Sequence, residues 1–98
     1  MTAAKAHTVA AEDMVAYLLA PVAPGAEVTV QGARTGEVTA REAIAAFHKI
    51  ALRDIAAGET LWRGGWPIGR AGSDIAAGAH VHTHNLVSAH STKSKEDR

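Results

Sequence analysis

The chain has 98 residues, enough for one small domain and too few for two separate cores. Ten Lys and Arg residues balance ten Asp and Glu residues, so the formal charge is zero with histidine neutral. This balance argues against nucleic-acid or anionic-membrane binding, because both need an excess of basic residues. The absence of cysteine excludes disulfides, thiolate metal ligands and a Cys nucleophile. With neither a signal-peptide pattern nor a membrane-spanning apolar run, we expect a cytoplasmic protein.

The first part of the chain predicts a flexible N terminus over residues 1–11, followed by one short helix over residues 12–20. Met14, Val15 and Leu18 follow helical spacing. Acidic residues stand at the start of this segment, where they favour the positive end of a helix dipole, and Pro21 ends it.

The next segments are predicted to be β-strands. Val28 and Val30 alternate with polar residues, and a second β-rich run follows Gly36. Two such runs separated by glycine predict a hairpin.

Residues 39–57 give conflicting signals. A capping-box pattern and many helix formers favour a helix of about four turns. Against this, Asp-Ile-Ala-Ala-Gly occurs at residues 54–58 and again at residues 74–78, with a looser copy at residues 22–25. The copy at residues 74–78 leaves no room for a long helix, so we interpret the repeat as a turn with a left-handed glycine.

On this interpretation the chain is mostly β. Strands are then predicted at residues 48–52, 60–63 and 67–71, and the domain covers residues 12–87. Residues 88–98 are polar and charged, which predicts a disordered tail.

The most informative segment is the histidine run near the C terminus. On a strand, His80, His82 and His84 would share one face, with same-face neighbours roughly 6.6 to 7 Å apart at their Cα atoms. Imidazoles at this spacing can converge on one divalent metal ion or one small polyanionic substrate. A solvated polar strand face is the equally weighted alternative. His48 and Lys49 form a second polar pair, which can also be an ordinary strand end.

Several motifs in a fixed order carry a family resemblance. They are Phe47-His48-Lys49-Ile50-Ala51-Leu52-Arg53-Asp54-Ile55, Gly58-Glu59, Ile68-Gly69, Asp74-Ile75, Gly78 and Val81-His82-Thr83-His84-Asn85. Over residues 13–86 the sequence resembles the SAF domain of altronate and galactarate dehydratases, and the small subunit of sulfolactate sulfo-lyase. Three positions depart from the family pattern. Phe47 stands where the family has a glycine, and Trp66 stands where it has a polar residue. In the family's Lys-Tyr-Gly turn, Gly64 takes the place of the tyrosine and Arg63 that of the lysine.

The resemblance implies an SAF-type β-clip fold of short bent hairpins. It also implies a place in a metal-dependent lyase that removes water from a sugar acid, such as altronate, to give a 2-keto-3-deoxy acid. The implied cofactor is a divalent metal, Fe2+ in the first place with Mn2+ or Zn2+ as alternatives. In fused relatives the catalytic region follows the His-Asn motif, whereas this chain ends about a dozen residues later, so we expect a separate large catalytic subunit that shares the metal.

Candidate roles follow for the residues that match the family motifs. His48 is the candidate proton carrier, because an unperturbed imidazole pKa of about 6.5 suits transfer at neutral pH. Lys49 joins it as a catalytic candidate and would neutralise a substrate carboxylate. Arg63 and Asn85 are further substrate-binding candidates. The metal-ligand candidates are His82 and His84, with His80 as a third.

Two other functions remain open at this point. The chain can be a non-catalytic module that binds a carbohydrate acid or docks a partner, or a free-standing metal carrier. The carrier ranks last, since strand histidines without carboxylate or thiolate partners make a weak site. We expect the chain alone to be inactive, and a domain of this size can gain stability by association with further copies.

Overall fold

Two β-sheets make up the protein in the computed structural model, which describes residues 4–88. The nine strands are β1 (Ala4–Thr8), β2 (Val15–Leu18), β3 (Glu27–Gly32), β4 (Gly36–Thr39), β5 (Lys49–Ala51), β6 (Thr60–Arg63), β7 (Trp66–Ala71), β8 (His80–Val81) and β9 (Leu86–Ser88). A six-stranded sheet has the order β4-β3-β1-β2-β5-β8, and a three-stranded sheet has the order β6-β7-β9. The mostly-β prediction is confirmed. Within the described range, nothing helical is long and apolar enough to cross a membrane.

The predicted N-terminal helix is wrong. Residues 15–18 form β2, which lies between β1 and β5 with Leu18 opposite Ala6 and Ala16 opposite Ile50. Both faces of this strand are largely covered, so its sequence is a continuous apolar run rather than an alternating one. Such a run cannot be distinguished from a buried helix by periodicity alone.

The flexible N terminus predicted over residues 1–11 is also wrong for the part that the structure describes. The strand β1 pairs with β2 on one side and in parallel with β3 on the other. It is therefore an interior strand of the larger sheet, and Ala6 is fully buried. Residues 1–3 lie outside the described residues.

The hairpin prediction is confirmed, with Val28 opposite Val38 in β3 and β4. The predicted strands at 60–63 and 67–71 correspond to β6 and β7, and the one at 48–52 is shortened to Lys49–Ala51. The helix alternative for residues 39–57 does not form. The predicted disordered tail lies outside the described residues from residue 89 onward.

The Asp-Ile-Ala-Ala-Gly repeat forms a pair of equivalent turns, as predicted. Ile55 and Ile75 form an isolated β-bridge. The turns also exchange side-chain bonds: Ala57 N–H donates to Asp74 Oδ1 at 2.8 Å, and Ala77 N–H donates to Asp54 Oδ1 at 2.9 Å. The closing glycines have φ values of 84° at position 58 and 87° at position 78, in the left-handed region that glycine tolerates.

A second pair of turns repeats this arrangement with different residues. Val22 and Ile44 form the corresponding bridge. Gly25 N–H donates to Ala40 O at 2.8 Å, and Phe47 N–H donates to Leu18 O at 2.7 Å. Sequence reasoning recognised the copy that ends in glycine and missed the one that ends at Phe47. That residue has a φ of 69°, so a phenylalanine occupies the left-handed position that glycine fills elsewhere.

Two hydrophobic clusters fill the interior. One joins the larger sheet to the turns bridged by Val22 and Ile44 and is built from Ala6, Ala16, Leu18, Val22, Val28, Val30, Ala40, Ile44 and Ile50. The other joins it to the smaller sheet and the turns bridged by Ile55 and Ile75, and comprises Met14, Val15, Ala51, Ile55, Leu61, Ala71, Ile75 and Val81. Strands β2 and β5 contribute to both clusters because their two faces point to different layers.

Candidate functional site: an imidazole cluster

The histidine run does not continue as a strand. The strand β8 ends at Val81, and residues 82–85 form a turn in which His82 O accepts the N–H groups of Asn85 and Leu86 at 3.1 and 2.9 Å. The prediction of one extended segment through residue 85 is therefore wrong. Asn85 explains the difference, since its Oδ1 accepts His82 N–H at 2.9 Å and its Nδ2 donates to His80 O at 2.8 Å. Asparagine commonly closes turns in this way.

The turn nevertheless gathers the imidazoles instead of scattering them. The ring centroid of His82 lies 4.5 Å from that of His48 and 5.4 Å from that of His80, and His84 lies 5.2 Å from His80. His48 lies between the turn that ends at Phe47 and the start of β5, and β5 holds it beside β8 through the pairing of Ile50 with His80. Four rings from two chain segments, residue 48 and residues 80–84, thus meet at one edge of the larger sheet.

His48 and His80 make the tightest contact in this cluster, with His48 Nδ1 and His80 Nε2 2.8 Å apart. One nitrogen must donate and the other accept, so two imidazolium rings cannot make this bond. Partial burial lowers the pKa of His80, and the nearby His48, His84 and His82 lower it further, against the opposing influence of Glu42. The arrangement favours neutral imidazole at position 80, the form that accepts protons and binds metals.

Three of the rings suit a divalent metal ion. His48, His80 and His82 each offer a nitrogen, and these nitrogens lie within 4.8 Å of one another. Neutral imidazole is a suitable ligand for zinc and iron. His82 is exposed while the other two are half-buried, so the group opens outward. Three protein ligands with an open side are typical of catalytic rather than structural metal sites. The sequence-predicted ligand His84 packs on His80 but lies outside this group of three.

Lys49 and Arg63 come together at a different place. Lys49 pairs with Tyr17, whereas His80 pairs with Ile50, the next residue along β5. Consecutive strand residues face opposite sides, so Lys49 faces away from His80. Its Nζ lies 5.1 Å from the Tyr17 ring centroid, and the Arg63 guanidinium carbon lies 4.0 Å from it. Sequence reasoning missed Tyr17 because it placed this residue in a helix.

Comparison with known proteins places this geometry in context. The chain matches the family described as altronate/galactarate dehydratase SAF domain over residues 4–89, a range that includes β1. It is 51% identical to altronate dehydratase of Escherichia coli (strain K12) over 73 residues, which are 74% of this chain and 14% of that enzyme. It is 42% identical to the (2R)-sulfolactate sulfo-lyase subunit alpha of Chromohalobacter salexigens over 53 residues, or 54% of this chain and 56% of that subunit. With the same subunit of Paracoccus pantotrophus the identity is 42% over 48 residues, or 49% of this chain and 72% of that subunit.

Proposed function

Because the chain belongs to the altronate/galactarate dehydratase SAF domain family, we propose that it is the small subunit of a metal-dependent lyase that removes water from a sugar acid. The observation that carries this proposal is the convergence of His48, His80 and His82. The chain corresponds to 14% of an altronate dehydratase, and it is similar to proteins named as one subunit of a sulfo-lyase. A large catalytic subunit therefore completes the proposed enzyme.

Elimination of water needs a base for the proton next to the carboxylate and an acid for the departing hydroxyl. In this proposal His48 serves the proton transfers, since its Nδ1 already shares a hydrogen with His80 Nε2, 2.8 Å away. One ring can accept a proton while the other adjusts its hydrogen bond. The product is an enol that tautomerises to a 2-keto-3-deoxy acid, with the C–H proton and the hydroxide leaving as water.

Two of the clustered rings are the residues that would hold a divalent metal, because a nitrogen that coordinates the ion has no lone pair left to carry a proton. His82 is exposed and would present its nitrogen toward the large subunit, while half-buried His80 would hold the inner side. When bound, Fe2+, Mn2+ or Zn2+ supplies a Lewis acid that stabilises negative charge on an enolate. His84 packs against His80 and limits the orientations of that ring.

Asn85 takes a positioning role in this proposal. Both polar atoms of its side chain already bond to backbone groups of the histidine run. The side chain therefore holds the turn that carries His82, and it is not free to bind a substrate hydroxyl without giving up that turn.

The test combines the chain with its large subunit, divalent iron and a panel containing altronate, galactarate and sulfolactate. We expect product only when both subunits are present. H48A, H80A and H82A are each expected to lower turnover at least a hundredfold with the complex intact, whereas R70A, at an exposed position of β7, serves as the control.

Two results would contradict the proposal. The first is turnover by the chain alone. The second is full turnover in the three cluster variants, which would favour the non-catalytic docking or acid-binding module instead.

A further inference from the structure

One face of the larger sheet is covered at one end and open at the other. On β2, Val15 is fully buried beneath the smaller sheet, within the cluster that includes Leu61. Tyr17 is the next residue on this face and is half-buried. Leu19 continues the pairing by donating its N–H to Lys5 O at 2.8 Å, and it is 46% exposed. The smaller sheet thus ends before the row of side chains formed by Val15, Tyr17 and Leu19 does.

This open end forms a groove of about 370 Å³. We call it the open face and define it by the residues that line it, which are His7, Tyr17, Leu19 and Phe47. Most of its surface is apolar side chain, and the larger sheet provides its floor. An apolar groove beside unpaired charges is typical of an interaction surface.

Phe47 is the most unusual residue of the open face. Its φ of 69° is in the left-handed region, where the three equivalent turns have glycine at 84° to 87°. The ring is nevertheless 73% exposed, so burial within the chain does little to offset an unfavourable backbone conformation. Backbone strain of this kind clusters at functional sites. A partner that covers the ring would explain why the position is not glycine.

Two cations mark one end of the groove. Lys49 and Arg63 lie over the Tyr17 ring. Within residues 4–88 the sole ion pair joins Arg53 to Glu59, so neither of these cations meets a carboxylate there. An occupant with a negative charge beside an apolar side chain would complement this surface.

We propose that the open face docks an acidic, apolar segment of the large catalytic subunit. A carboxylate of that segment meets Lys49 and Arg63, and an apolar side chain fills the groove between Phe47 and Leu19. The identity of the partner rests on the proposed function. Since Phe47 directly precedes His48, docking here brings the large subunit to the edge of the imidazole cluster.

The first test separates docking from folding with one substitution. F47G removes both the ring and the strain, so we expect an unchanged or higher melting temperature together with an affinity for the large subunit at least tenfold weaker, measured by isothermal titration calorimetry. W66A is the matched control, because Trp66 is 74% exposed and lies outside the open face. Wild-type affinity in F47G, or no binding by the wild-type chain, would overturn the docking proposal.

The second test identifies the occupant. A benzophenone amino acid at position 47 is expected to crosslink, on irradiation of the assembled enzyme, to a large-subunit peptide that contains Asp or Glu. Crosslinks only to a second copy of this chain, or none at all, would overturn the proposal. The double variant K49E/R63E should weaken assembly, and R70E should not. Equal affinity in both would overturn the acidic character of the occupant.

The docking proposal and the catalytic proposal can be overturned separately. An H82A complex that assembles but does not turn over, together with an F47G chain that binds normally, would overturn docking alone. An H82A complex with full turnover would overturn the catalytic proposal and leave the docking result standing.

Discussion

His48 and His80 are 32 positions apart in the sequence, yet His48 Nδ1 and His80 Nε2 lie 2.8 Å apart in the fold. The contact depends on β5, which begins one residue after His48 and pairs Ile50 with His80. The sheet register therefore fixes the distance between the two rings. Their shared hydrogen bond accounts for the chemistry proposed here and for a pH dependence of the chain's own stability.

Acidification should destabilise the isolated chain through His80. Its pKa is lowered in the folded state, so the unfolded chain takes up the proton more readily. The neutral His80 ring makes its full contribution to the free energy of unfolding above the ordinary imidazole pKa of about 6.5. This contribution is lost as the pH falls from there toward the lowered pKa of His80 in the folded state. We expect the free energy of unfolding, measured by urea titration, to fall between pH 7 and pH 5.5.

Two variants show whether the cluster causes this change. H80Q should flatten the pH dependence, whereas H7Q, at an exposed position, should leave it intact. The hydrogen bond from Arg53 also lowers the pKa of Glu59, but that carboxyl titrates at lower pH. Greater stability at pH 5.5 than at pH 7 would contradict the assignment.

Substitutions at Phe47 and at the equivalent Gly58 should change the stability of the isolated chain in opposite directions. F47G should stabilise the isolated chain by about 1 kcal/mol, because a left-handed residue with a Cβ costs about 1–2 kcal/mol and glycine returns part of this as backbone entropy. At the equivalent position G58A should destabilise by about 1 kcal/mol. A Cβ there meets no atom within 4 Å, so the penalty comes from φ alone. Thermal denaturation of F47G and G58A measures both changes in stability. A destabilised F47G would contradict the backbone strain assigned to Phe47.

Asp13 is expected to be a structural residue rather than a catalytic one. Its side chain is fully buried and accepts the N–H groups of Val9 at 2.8 Å, Ala10 at 3.1 Å and Gly64 at 2.6 Å. D13A leaves three donors without a partner and should destabilise the chain by about 3 kcal/mol or more. E12A is the control at the exposed neighbour. A D13A chain with wild-type denaturant midpoint would refute this role.

Much of the fold was predictable from local patterns. The repeated Asp-Ile-Ala-Ala-Gly turns carry their own signal, because an inward apolar residue and a left-handed glycine recur at fixed spacing. The β3–β4 hairpin shows clean alternation on a sheet that is covered mainly on one side there. Predictions failed where burial on both faces removed the alternation, as in β2, whose apolar run has the composition of a helix.

The sequence singled out the histidines that the fold brings together, but not their geometry. The histidine run identified the ligand candidates, while its turn depends on both side-chain bonds of Asn85. The neighbouring sequence positions of His48 and Lys49 suggested a shared site, and strand alternation separates Lys49 from His80. The turn at Phe47 was missed because its conformation is set by tertiary pairing with Leu18 and not by glycine.

The most direct measurement of the central claim is a zinc titration of the isolated chain, followed by 15N NMR of the imidazole nitrogens. Our account predicts that in the isolated chain, without ligands from the large subunit, one nitrogen of each of His48, His80 and His82 changes to a metal-bound shift, while His7 keeps its free shift. Loss of any one of the three rings by substitution with alanine should abolish the coordinated signals of the other two. Zinc-dependent changes at His84 without His48, or no change in any ring, would contradict it.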